Sequence, residues 1–165
     1  MEKKDRTSKI VLVTGGSRGI GKSIALNAAA RGIGVILTYN SNAAQGQAVA
    51  DTIKANGGKA IALQLDTSQT GSFVAFAEEV SQILRKEWGR DNFDYLVNNA
   101  GIAQRTLIKD TTEDMFDELV NVNFKGVFFL TQKLIPIMID GGQVINISSG
   151  ASPLCFSRCC GLWST

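Results

Sequence analysis

The sequence predicts a single α/β domain in which helices cover both faces of a parallel sheet. Three observations carry that expectation. Short, nearly continuous apolar runs rich in β-branched residues recur along the chain, stretches of helical length separate them, and a glycine-rich turn joins the first run to the first helical stretch. Apolar runs without alternation are buried on both faces, and a helix between successive strands makes the crossover that parallel pairing needs. A length of 165 residues with 44% hydrophobic content suits one core.

The elements follow in order. KIVLVT, from Lys9 to Thr14, is the first strand, and an Ala-rich helix runs from about Gly19 to Arg31. GVILTY, Gly34 to Tyr39, is the second strand. AAQGQAVADTIKANGG is a helix stopped by Gly57 and Gly58, and KAIALQLD is the third strand. A helix from about Gln69 to Trp88 precedes the fourth strand, FDYLVN, at Phe93 to Asn98. A longer helix starts near Thr111, where Thr111 and Asp114 have the spacing of a capping box. GVFFLTQKLIPIMI, Gly126 to Ile139, contains Gln132, Lys133 and Pro136, is too short and polar to cross a bilayer, and reads as a buried amphipathic helix. GQVINIS, Gly142 to Ser148, is the fifth strand. No internal repeat, low-complexity stretch or interdomain linker interrupts the pattern.

Composition narrows the function classes. Seventeen basic against fifteen acidic residues leave a net charge of +2, too balanced to predict a nucleic-acid or membrane-surface partner. The opening MEKKDRTSK lacks the apolar core of a secretory signal, so residues 1–8 are expected to be a disordered start and no export is implied. No cysteine precedes Cys155, which suits a reducing compartment and a cytoplasmic location. The chain has no histidine, so His-based triads and His-containing zinc sites are excluded and no metal site is expected.

The strongest chemical signal is VTGGSRGIG, Val13 to Gly21. Gly15, Gly19 and Gly21 stand at G-x-x-x-G-x-G spacing between a strand and a helix, with Ser17, Arg18 and Ile20 among them. Glycines there let backbone approach a pyrophosphate, while the helix N-terminus offers unpaired N–H groups and the positive end of its dipole. The same glycines also serve tight βα packing, so the flanking strand and helix are what favour a dinucleotide.

TGGSRGIG, the LD before Thr67, NNAG at Asn98 to Gly101, VNVNFKGVFFLTQ and VINISSGAS resemble successive motifs of the short-chain dehydrogenase/reductase family, in the family's order, over about Lys9 to Ala151. Within it the likeness is to NADP-dependent reductases of the 3-oxoacyl-(acyl-carrier-protein) type. The resemblance implies a Rossmann-type doubly wound sheet of strand order 3-2-1-4-5, with further strands beyond. It also implies hydride transfer between NADP(H) and a small-molecule carbonyl or alcohol, and a homo-oligomer for an intact parent. The dinucleotide-binding domain is placed at 9–152 and an aberrant tail at 153–165.

Each motif also has a physical reading. Asp66 closes the third strand beside Thr67; it either accepts from an adenine amino group, as the resemblance implies, or caps the next helix. Asn98 at the end of the fourth strand ties neighbouring backbone together, while Ala100 and Gly101 leave room for a ribose and nicotinamide. The second strand ends TYNSN with no carboxylate to bond a ribose hydroxyl, so NADP fits better than NAD. Arg18 either supplies a cation for the 2′-phosphate, with Asn40 and Ser41 beside Tyr39 adding hydrogen bonds, or is only a solvated surface charge. By resemblance Ser149 orients the substrate and Asn123 positions a proton-relay water.

The family's Tyr-x-x-x-Lys pair is expected after Ser149, but no tyrosine or lysine follows it. Reading the codons for Cys155 to Trp163 one nucleotide later, the degenerate code permits Val-Phe-Pro-Gly-Ala-Val-Ala-Tyr and then Gly. That run resembles the approach to the family's active tyrosine, and its Tyr starts within codon 162. A reading-frame slip shortly before Cys155 is therefore expected, leaving a catalytically inactive remnant that at most binds the dinucleotide. Cys155, Cys159 and Cys160 are too few ligands for a tetrahedral metal site and are expected to be free thiols.

Overall fold

The computed structural model describes residues 9–104 and 106–148. The expected disordered start, Ser149 and the expected tail at 153–165 lie outside the described residues. Five strands, β1 (Ile10–Val13), β2 (Gly34–Tyr39), β3 (Ala60–Gln64), β4 (Phe93–Asn98) and β5 (Met138–Asn146), pair in the order β3-β2-β1-β4-β5. Every pairing is parallel. This is the Rossmann-type order expected from the sequence.

Alternation along the strands divides the core between the two faces. Ile10 and Leu12 of β1 pack with Ile36, Phe73, Phe76, Val80, Leu130 and Leu134, under α3 (Phe73–Ile83) and α5 (Val127–Leu134). Val11 and Val13 pack with Ala25, Val49 and Ile53 under α1 (Gly19–Ala30) and α2 (Ala43–Ala55). Period-two side-chain direction places neighbouring residues of one strand in opposite layers. Burying both faces is why β1 and β2 carry no alternation in sequence.

Three local expectations are corrected. The helix near residue 111 is α4 (Glu113–Val120), and its cap is Thr112, whose hydroxyl accepts from Met115 N at 3.2 Å. Thr111 instead belongs to the preceding turn: its N–H donates to the Ile108 carbonyl and its hydroxyl to the Leu107 carbonyl. The stretch Gly126 to Ile139 is not one helix. Its first residue ends a π-helical turn, Asn121–Gly126, and α5 stops at Leu134 before a short 3-10 turn that contains Pro136. Proline lacks the donor that an α-helix would use there and clashes with the carbonyl four residues back. β5 therefore begins at Met138, earlier than the expected Gly142, with a register shift opposite Phe93–Tyr95 and Gly141 in the left-handed region.

Candidate functional site

Strand order reverses at β1, which sends its chain to β2 on one side and is flanked by β4 on the other. In open α/β sheets such a switch point leaves a crevice outside the carboxyl ends of the strands. Here it measures about 350 Å³ and is lined by Gly15, Ser17, Arg18, Gly19 and Ile20 on one side. Asn40, Asp66, Thr67, Ala100 and Gly101 complete it from the ends of β2, β3 and β4.

The glycines serve distinct purposes. Gly15 and Gly19 have φ of +63° and +55°, a region that disfavours any side chain. A Cβ on Gly15 would stand 3.0 Å from Ala100 Cα, whereas one on Gly19 meets nothing within 4 Å. The first spacing brings two backbones together; the second leaves open space at the start of α1. Arg18 is the N-cap of that helix, no side chain caps it, and no acidic residue stands in its first turn. Its first N–H groups are therefore left for a ligand, with the dipole favouring an anion.

Two residues that sequence reasoning passed over hold the crevice together. Thr14 Oγ1 accepts from Asn99 N and Ala100 N, both at 2.9 Å, and Asn99 Nδ2 donates to Thr14 O at 2.9 Å and Gly15 O at 3.2 Å. The end of β4 is thereby fastened to the glycine turn. The available signal was positional: a hydroxyl before the turn and an amide after the strand.

Four predicted binding residues lie outside the crevice lining. Gly21 packs beneath it, since a Cβ there would stand 2.3 Å from Gly15 O. The Tyr39 ring lies over Gly46 of α2 and borders a separate hollow beside β3, and Ser41 is exposed. Asn98 does not tie backbone: its Nδ2 donates to Thr131 Oγ1 at 3.1 Å and Asn146 Oδ1 at 2.9 Å. The backbone tie belongs to Asn99, because successive strand residues face opposite ways. Asp66 caps no helix; its Oδ1 accepts from Ser68 N and Ser68 Oγ, closing a turn, and Gln69 precedes the next helical turn.

Asn123 is 7% exposed and sits in the π turn between α4 and α5. Its carboxamide bonds the backbone of one residue twice: Oδ1 accepts from Ile102 N and Nδ2 donates to Ile102 O, both at 2.9 Å. A Cβ on Gly101 would stand 3.0 Å from Asn123 Oδ1, so the loop after β4 lies flat on this amide. Asn123 also lines a second, larger groove of about 700 Å³ that continues past Ala100 between α5 and β5. Ser148 reaches that groove; Ser149, the predicted substrate-orienting residue, lies outside the described residues.

Tyr95 and Lys9 meet away from the crevice. Lys9 Nζ donates to the Tyr95 hydroxyl at the N-terminal end of β1, which holds the lysine above its ordinary range, and the ammonium also lies over the ring. Among the described residues no helix is long and apolar enough to cross a membrane, and no group of acidic, His or Cys side chains has the arrangement of a metal site.

A fold, a switch-point crevice and a glycine turn of this geometry define a Rossmann-type α/β protein. The chain belongs to the short chain dehydrogenase family, whose model matches residues 9–158. It is 38% identical over 147 residues to the 3-oxoacyl-[acyl-carrier-protein] reductase FabG of Staphylococcus aureus, an alignment covering 87% of this chain and 57% of that protein. It is 40% identical over 141 residues to an uncharacterized oxidoreductase of Methylorubrum extorquens, covering 86% and 54%. Among solved structures, angucycline C-6 ketoreductase LanV with bound NADP matches at a TM-score of 0.87 and 35% identity, with 91% of this chain and 58% of that one covered. A Burkholderia cenocepacia short chain dehydrogenase in complex with NADP matches at 0.82 and 35%, covering 93% and 61%. The chain thus spans little more than half the length of the curated relatives it matches.

Proposed function

We propose that the switch-point crevice binds NADP(H), and that the lineage of this chain transfers hydride between NADP(H) and a carbonyl or alcohol. The observation that carries the reading is the glycine turn: left-handed Gly15 and Gly19 around an uncapped helix start, fastened to β4 through Thr14 and Asn99. The residues fit the group. Gly19 leaves open space where a pyrophosphate needs backbone approach, and Ala100 and Gly101 present main chain for the nicotinamide end. Asp66 keeps Oδ2 free of bonds to the described residues, so one oxygen remains for an adenine amino group.

When bound, the dinucleotide supplies or accepts the hydride. The chain's own residues do the rest. Arg18 and Asn40 stand at the corner that the 2′-phosphate would occupy, with no carboxylate at the end of β2 to repel it. Asn123 holds the Ile102 peptide and so shapes the loop beside the reacting end. One Nδ2 hydrogen and one Oδ1 lone pair remain beyond these two bonds for the relay water that the family likeness assigns to Asn123. Ser149 would donate to the substrate oxygen. A 3-oxoacyl thioester is the substrate suggested by the FabG relatives.

A second reading has its own observation. Lys9 meets the Tyr95 hydroxyl at the N-terminal end of β1, away from the crevice, and Tyr39 is turned toward α2, so neither tyrosine of the described residues is placed as proton donor. On this reading the described residues bind the dinucleotide and the proton donor is not among them. Titration of the protein into NADPH and NADH, followed by nicotinamide fluorescence, tests the binding that both readings share. NADPH is expected to bind the more tightly. Equal affinities, or none, would overturn the assignment.

A further inference from the structure

We propose that Thr131 is a positioning residue for the dinucleotide crevice, acting through Asn98 on the strand end that carries Asn99, Ala100 and Gly101. The role assumes that the crevice holds a dinucleotide. Asn98 and Asn99 are consecutive at the end of β4 and reach opposite ways. Asn99 fastens the glycine turn on one side, and Asn98 fastens α5 and β5 on the other through Thr131 Oγ1 and Asn146 Oδ1. The segment 98–101 is strung between these two clamps, and Ala100 lies where the crevice and the larger groove meet.

The Asn98 clamp depends on Thr131 for three reasons. Asn98 is 4% exposed and its Oδ1 is buried with no hydrogen bond from the described residues, so only the two bonds of Nδ2 fix the carboxamide. Of those two partners Asn146 on β5 is exposed among the described residues, while Thr131 on α5 is half-buried. An exposed partner exchanges its bond with water at little cost; a half-buried hydroxyl bonded to a buried amide is replaced less readily. Removing it leaves a second polar atom of one buried carboxamide short of a partner, and the strand end is the part free to shift.

Thr131→Val keeps the side-chain shape and removes the hydroxyl; Thr131→Ser keeps the hydroxyl. In the valine variant the dissociation constant for NADPH is expected to rise roughly three- to tenfold, the cost of one buried hydrogen bond. Adenosine bisphosphate, which reaches only the Arg18 and Asp66 corner, should bind as to the unchanged protein, and the serine variant should restore NADPH binding. Equal weakening of both ligands would mean general loosening of the fold and overturn the role, as would unchanged NADPH binding. Backbone amide shifts of Asn99 to Gly101 in the free protein separate this role from the dinucleotide reading. They should move in the valine variant and return in the serine variant even if no nucleotide binds. Shifts confined to α5 would sink the proposal.

Discussion

Arg18 holds two positions at once: it is the N-cap of α1 and an exposed cation on the lip of the crevice. Only the second depends on its side chain, because no side-chain capping bond is made. Arg18→Ala should therefore leave stability nearly unchanged while weakening NADPH binding roughly tenfold, about 1.4 kcal/mol, with NADH affected much less. Calorimetric titration of both nucleotides against the variant checks it; equal losses would place the arginine on the pyrophosphate rather than the 2′-phosphate. Residues of this kind were legible in sequence because a motif fixes their spacing. Thr14 and Asn99 were not, since each owes its importance to a partner about eighty-five positions away. Asn98 was legible in place and misread in action: alternation along β4 decides which of two adjacent asparagines faces the turn, and the sequence NNAG does not say which.

Strands buried on both faces were legible as elements because their apolar runs are bounded by glycine and polar residues. The predicted bounds of β2 and β4 are those observed. Boundaries where local chemistry competes were harder. Thr111 and Thr112 are both plausible caps; the 3-10 turn at Ile108–Asp110 engages Thr111 first and leaves Thr112 to cap α4. Thr112→Ala should cost about 1 kcal/mol, the usual worth of such a cap, and Thr111→Ala less, as measured by the urea midpoint of each variant. The reverse order would return the cap to Thr111. The π turn was invisible to periodicity, yet it brings Asn123 to Ile102 and buries Gly126 against Thr67 O, only 2.0 Å from where its Cβ would stand. One irregular turn thus links the loops after β3 and β4, which both line the crevice.

At the scale of the molecule the two cavities differ in character. The crevice mixes glycines, polar groups and the Arg18 cation with apolar Ile20, Leu65, Ile102 and Val122, a lining that suits a dinucleotide's phosphates and flat rings. The larger groove between α5 and β5 is apolar, and Phe124, Phe128, Ile135 and Val144 around it are all 40% exposed or more. Carbonyl reduction needs a proton donor beside the nicotinamide as well as a bound dinucleotide, and positioned general-acid catalysis contributes on the order of 100- to 10,000-fold. The described residues supply binding groups and the Asn123 amide, but the hydroxyl of Tyr95 is taken by Lys9 at the far end of β1, and Tyr39 is turned toward α2. Neither tyrosine of the described residues is placed as that donor, and NADPH binding should not depend on the Tyr95 hydroxyl. Tyr95→Phe is expected to leave the dissociation constant for NADPH, followed by nicotinamide fluorescence, within about twofold of that of the unchanged protein. Weakening of about tenfold, about 1.4 kcal/mol, would place the Tyr95 hydroxyl against the nucleotide and overturn its assignment to the far end of β1.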